Sequence, residues 1–275
     1  MAQFKLNNIL IPEELPLIAL KNTVLFPKVV IPLIVQRPKS VAALEYAMTR
    51  ERLVFFVTQK SIEDNVHVHD LFKVGTIGRI VSVFKLPDGS SKIDVEGLMR
   101  AEISEFKTEG PFFKVNFVPF TPKISSADDL EDKAIMRLVI DQFRTVSELK
   151  AFPSVSPEII YMMSQLKDPD QIISLITINL NLEIQDQQII LETQSPLEAL
   201  KKLNYFLTRE VEILEAEKTV AKETKKQIGK MQKELFLREQ LKSIEKELGV
   251  DDEKDDFNTV KTKIDAAGMP KDAKD

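Results

Sequence analysis

After Pro196 the chain runs to Gly249 without another proline, and Gly229 is its one internal glycine. Within this stretch Leu200, Leu207, Leu214, Ala221, Ile228 and Leu235 recur every seven residues, and Leu241, Ile244 and Leu248 continue the stripe after a phase shift. The spacing predicts one helix, roughly 80 Å long at 1.5 Å per residue. Such a rod cannot bury its whole length on a small core. Its middle, Glu215 to Gln227, is almost wholly polar and belongs in solvent or against a partner. Lys201 to Gly249 carries twelve basic and nine acidic residues, with Lys222, Lys225, Lys226, Lys230 and Lys233 as a moderate basic cluster that reads as a solvated face. The acidic run around Asp251–Asp256 reads as a solvated linker. The core must therefore be built upstream.

Upstream, two periods divide the sequence. From Leu15 to about Phe120 it reads as strands: Val29–Val35, Leu53–Val57, Val74–Phe84, Lys92–Gly97, Arg100–Phe106 and Phe112–Phe120. A helix after Pro38 places Val41, Leu44 and Met48 on one face, and Leu86–Ser90 is a turn in which Gly89 supplies the positive φ. Five or six antiparallel strands with one small helix predict a barrel or half-barrel. After Pro122 the period becomes 3.6. Asp128–Lys150 is amphipathic through Leu130, Ile135, Leu138 and Val139. Three further helix starts pair a capping residue with proline: Ser156-Pro157, Asp168-Pro169 and Ser195-Pro196. Asp168 with Gln171 and Ser195 with Glu198 have the spacing of capping boxes.

Catalytic chemistry has little to draw on. There is no cysteine, so disulfides, thiolate metal sites and a cysteine nucleophile are excluded. The two histidines, His67 and His69, precede Asp70; on a strand they would share a face and could chelate, but exposed loop histidines are the simpler reading. The P-loop pattern is absent, because Gly229-Lys230 is followed by Met231, and no G-x-S-x-G elbow occurs. Gly75 and Gly78 lie within a continuing strand and read as structural. The N-terminus lacks the features of a signal peptide, and no apolar run approaches the ~20 residues of a membrane span. A cytoplasmic protein is expected. The net charge of −5 argues against a nucleic-acid binder.

Three segments, in order, resemble the N-terminal region of the Lon family of ATP-dependent proteases. They are Leu15–Pro27 running on to Ser40, Val74–Gly78 with Leu86–Gly89 and Val95–Arg100, and Lys233–Gly249. Ala267–Pro270 resembles the family's approach to its ATPase domain. Lys28 departs from the resemblance, standing where the family usually has glycine, and Leu235-Phe236 replaces a more usual aromatic pair.

The resemblance implies an α+β chain: a PUA-like, β-barrel-type domain over 1–122, a helical subdomain over 123–194, a long amphipathic and partly coiled-coil helix over 195–249, and an acidic linker over 250–275. It implies a non-catalytic region of an ATP-dependent serine protease, which recruits unfolded or damaged proteins and supports a hexamer. No cofactor is expected in these residues; ATP and Mg are expected for the full-length protein. Candidate substrate contacts are Phe26, Phe112, Phe113, Met162 and Met163, since methionine and phenylalanine grip apolar segments adaptably. The same residues also fit a core at strand and helical spacing. Candidate oligomer contacts are Leu207, Leu214, Ile228 and Leu235. The alternative is a standalone PUA-like module that binds a small ligand or nucleic acid.

Overall fold

The computed structural model describes residues 4–6, 9–60, 63, 66–107, 110–120, 130–150, 155–180, 182–248, 258–264 and 266–267. They fall into two compact units, Met1–Leu214 and Glu215–Asp275. The domain boundary expected at Pro122 lies outside the described residues, as does the acidic run at 251–256.

The first unit opens on an antiparallel ribbon, β1 (Phe4–Leu6) with β2 (Ile9–Ile11). A six-stranded sheet follows, made of β3 (Glu14–Leu20), β4 (Val30–Val35), β5 (Leu53–Thr58), β6 (Val74–Lys85), β7 (Ser91–Lys107) and β8 (Lys114–Pro119). The spatial order is β4-β7-β6-β5-β3-β8, and β8 pairs back onto β7. Strands β3, β5, β6, β7 and β8 thus close a ring, which covers most of their edges, while β4 remains outside as a flap on β7. β5 is buried along its whole length because both its faces carry core. Phe55 points to a cluster with Leu17, Ile77, Ala101, Ile103 and Val115, one or more from each strand of the ring. Val54 and Phe56 point to a second cluster, closed by helix α1 (Pro38–Met48).

Three features differ from the sequence expectation. First, β3 and β5 are parallel, not antiparallel. Parallel neighbours require a crossover, and the segment holding β4 and α1 supplies it. Second, α1 buries Ser40, Ala43, Leu44 and Ala47, so its inner face is rotated from the one marked by Val41 and Met48. Small residues win that face because α1 lies close on β3 and β5. Third, the two strands expected at Lys92–Gly97 and Arg100–Phe106 are one strand, β7, whose register against β6 shifts beside Gly97, where it passes the Phe26–Pro27 backbone. A Cβ at Gly97 would lie 2.0 Å from the Phe26 carbonyl oxygen, so no other residue fits.

Five helices complete the unit or begin in it: α2 (Leu130–Leu149), α3 (Pro157–Gln165), α4 (Pro169–Asn179), α5 (Ile184–Glu192) and α6 (Pro196–Glu247). Helices α3, α4 and α6 start at the three cap–proline pairs. At α4 the Asp168 carboxylate accepts from the Asp170 amide, 3.1 Å, one residue short of the expected capping-box partner. α5 has neither proline nor a side-chain cap and carries no start signal in the sequence. In α2 the inward face is Val139, Ile140, Phe143 and Val146; Leu130 and Leu138 are exposed instead.

The helices and the sheet share one core. Val24, Phe26, Val29 and Val74 pack with Phe143, Met163, Ile172, Leu200, Leu203 and Leu207. Polar bridges cross the same boundary. The buried Arg100, on β7, donates from Nη1 to the carbonyls of Thr193 (2.8 Å) and Leu191 (3.3 Å), and from Nη2 to Asp170 Oδ1 (3.1 Å). Burial lowers its pKa and Asp170 opposes the shift. Gln188, also buried, donates to the Val74 carbonyl at 2.9 Å.

In the second unit, residues 215–247 of α6 present exposed side chains almost throughout, including Ile228, Met231, Leu235, Phe236 and Leu241. Residues 258–264 are helical.

Replacing Arg100 leaves two carbonyls and Asp170 without their shared cation. Arg100→Met is expected to lower unfolding free energy by about 3 kcal/mol, whereas Lys107→Met, which removes an exposed pair with Glu14, should leave the denaturation midpoint close to that of the parent. Urea denaturation of both variants measures the contrast.

Candidate functional site

Strand β4 brings apolar side chains into solvent. Val30, Pro32 and Ile34 alternate outward while Ile31, Leu33 and Val35 turn towards the core. The register carries this outer face across three strands. Ile34, Lys92 and Phe84 share one row, and Val30, Glu96 and Arg79 share another, with an Arg79–Glu96 ion pair at 2.6 Å. Between the rows, β6 makes an irregularity at Val81, whose side chain is also exposed. Ile34 is 62% and Phe84 58% exposed, so this face is apolar, charged and open at once. An apolar patch rimmed by charge is the ordinary mark of a protein-binding surface.

A second feature lies on the edge of β3. β8 covers that edge only along Glu14–Pro16, with one further bond from the Leu17 amide to the Phe113 carbonyl, 2.8 Å. Beyond it lies a hollow of about 340 Å³ lined by Leu17, Ala19, Val66, Phe113 and the first turn of α1. Arg37 stands over the edge, donating to Gln59 Oε1 at 2.7 Å and to the Ala19 carbonyl at 3.3 Å. Lys39 Nζ lies 4.6 Å from the Phe113 ring centre.

The expected contact residues divide by burial. Phe26 and Met163 are sealed in the core shared by sheet and helices, and Phe112 is buried against Tyr46. These three are unavailable to a partner in this fold; each was placed by apolar character, which core and contact residues share. Phe113 is half-buried in the wall of the hollow, and Met162 is exposed on α3 beside Tyr161. Among the oligomer candidates, Leu207 is fully buried and Leu214 partly so, both against the helical core. Ile228 and Leu235 are exposed. The outer face of β4 and the β3 hollow were missed by sequence reasoning. The alternation Val30-Pro32-Ile34 was the available signal, since a proline inside a strand marks an edge.

His67 caps a 3-10 turn, Val68–Asp70, that contains His69; their rings stack, 5.4 Å between centres, and Asp70 accepts from the His67 amide. Among the described residues no group of three His, Cys, Asp or Glu could hold a metal ion. Gly229-Lys230 lies inside α6, where the amides belong to the helix, so these residues do not fit a nucleotide phosphate. Lys28 adopts φ 63°, the left-handed region that favours glycine, which accounts for the glycine usual at this position and leaves lysine strained there. Its amide donates to the Gly97 carbonyl at 2.7 Å and its ammonium pairs with Asp168.

Residues 14–209 match the family described as the ATP-dependent protease La (LON) substrate-binding domain. The chain belongs to the Lon family. Lon protease of Escherichia coli K12 is 38% identical over 266 residues, 95% of this chain and 33% of that protein. Lon protease of Trichlorobacter lovleyi is 36% identical over 261 residues, 94% of this chain and 32% of that protein. The chain therefore spans about a third of the length of the curated Lon relatives it matches. The solved N-terminal domain of Mycobacterium avium complex Lon protease shares the fold, with a TM-score of 0.58 at 21% identity over 71% of this chain and 98% of that one. Both candidate surfaces lie within the matched Lon substrate-binding domain. The alternative of a standalone ligand or nucleic-acid module is not favoured by this match. No described helix is long and apolar enough to cross a membrane.

Two variants isolate the strain at Lys28, because both lose the Asp168 pair and only one suits a positive φ. Lys28→Val should be about 1–2 kcal/mol less stable than Lys28→Gly, measured by the difference in denaturation midpoints.

Proposed function

We propose that this chain is the polypeptide-recruiting region of a Lon-type, ATP-dependent serine protease, engaging exposed apolar segments of unfolded or damaged proteins. The observation that carries this reading is the open apolar face of β4 and β6, Val30, Ile34, Val81 and Phe84, within the matched substrate-binding domain. Unfolded chains expose apolar side chains that folded proteins hide. A solvent-facing apolar surface with a charged frame favours them by burial, at about 25 cal/mol per Å² of apolar area removed from water. Several weak sites of this kind on one assembly gain avidity from local concentration without high affinity at any one of them.

The assembly in this reading is a hexamer in the cytoplasm, with ATP and Mg used by the whole protease. What supports self-association here is the row of exposed apolar residues on α6, Ile228, Met231 and Leu235. Those side chains repeat at spacings a second helix can match. Leu207 is not part of it, being committed to the core of its own chain, and Leu214 is partly buried against that core.

Two measurements test the two halves of the reading. Fluorescence anisotropy with labelled, unfolded casein should show binding that Ile34→Glu with Phe84→Glu weakens roughly fivefold or more; unchanged affinity would remove this face from recruitment. Sedimentation velocity should show self-associated species that Ile228→Lys with Leu235→Lys shifts to smaller ones. An unchanged distribution would remove α6 from assembly.

A further inference from the structure

The edge of β3 beyond β8 has the hydrogen-bonding polarity of a sheet waiting for one more strand. Leu17 sends its amide to Phe113 on the β8 side, and the Leu20 carbonyl accepts the Gln59 amide on the β5 side. Main-chain groups alternate sides along a strand, so those of Ala19 face the same way as those of Leu17. Pairing with β8 stops at Pro16, and the Ala19 carbonyl takes a long bond from Arg37, 3.3 Å. Directly beside this edge is the hollow of about 340 Å³ walled by Leu17, Ala19, Val66 and Phe113. Two cations, Arg37 and Lys39, stand at its rim.

We propose that this groove takes an extended polypeptide segment as an added strand on β3, in line with β8. One apolar side chain of the segment fills the hollow, and an acidic neighbour meets Lys39 and Arg37. The reading rests on the polypeptide-recruiting function above and gives it a substrate class: extended, locally apolar and locally acidic. The occupant is a backbone and not a small apolar molecule because the hollow is continuous with strand main chain at Ala19. An apolar ligand makes no use of that edge, whereas a strand supplies an amide to the Ala19 carbonyl and an acceptor to its amide. The arriving amide replaces Arg37 at the carbonyl and turns the guanidinium towards the segment's carboxylate. Side chains on one face of a strand recur at every second residue, so the apolar and acidic residues fall two apart on the segment.

The test uses the whole chain and a short fluorescein-labelled peptide of alternating threonine and valine, with a central phenylalanine and flanking glutamates. Binding is read by anisotropy, and amide hydrogen exchange of the chain is followed by NMR. The peptide should slow exchange at Ala19, and its backbone N-methylated version should bind about tenfold more weakly or worse. Phe113→Ala and Ala19→Pro should each weaken the unmodified peptide by a similar factor, with thermal melting showing that both variants fold. If a variant fails to fold, exchange at Ala19 in the native chain and the N-methylated peptide still decide. Equal binding of the N-methylated peptide, or protection confined to β4 and β6, would overturn strand addition while leaving recruitment standing. Binding of neither this peptide nor unfolded casein would overturn both.

Discussion

The first unit is organised around a charge that has left water. Arg100 sits on β7, and its guanidinium ends among the last carbonyls of α5 and the first turn of α4. The last carbonyls of any helix lack internal donors, and the first turn favours a carboxylate. One cation therefore satisfies carbonyls at the end of α5 and the carboxylate in the first turn of α4, and it does so from the sheet. Burial of that charge is tolerable only while all its partners hold position. The helices are in this sense completed by the barrel. Gln188 repeats the arrangement from the other direction, a helical side chain closing a strand carbonyl at Val74. Phe26 fills the apolar ground between these bridges, and the tight passage at Gly97 lets its backbone come that close.

Much of this architecture is legible in the sequence because it is local. Strand runs, the Leu86–Ser90 turn and three cap–proline starts each carry their own signal, and each was found at or near its expected place. What was not legible depends on partners distant in the chain. Alternation identifies β3 and β5 as strands but says nothing of their parallel pairing, which follows from the path of the crossover. A helical stripe reports that a face is apolar, not what covers it. Leu207 and Ile228 occupy equivalent places in one seven-residue repeat, yet the first is sealed in its own core and the second is in solvent. Met162 and Met163 make the same point over one step: the first is exposed on α3 and the second is sealed in the core. Arg100 gave no local sign of burial, since only the helix ends that surround it make burial tolerable.

The surface was legible in the same partial way. Phe113 was singled out for its size and found in the wall of the β3 hollow, while the residues that make the hollow a groove, Leu17, Ala19 and Arg37, are unremarkable in sequence. Their significance comes from where β8 stops. The apolar face of β4 depends likewise on register: Ile34 and Phe84 are fifty residues apart and share a row only because Lys92 pairs with both.

Pro32 has a consequence of its own. It stands midway along the flap strand, between the outward-facing Val30 and Ile34, where a second sheet would dock if it could. Without an amide hydrogen there, no continuous ladder can grow from that rim. In the recruiting role proposed above, contact with misfolded chains carries the risk of templating their fibres. Here stickiness of side chains and reticence of backbone are combined in one strand, so adhesion at this rim does not propagate.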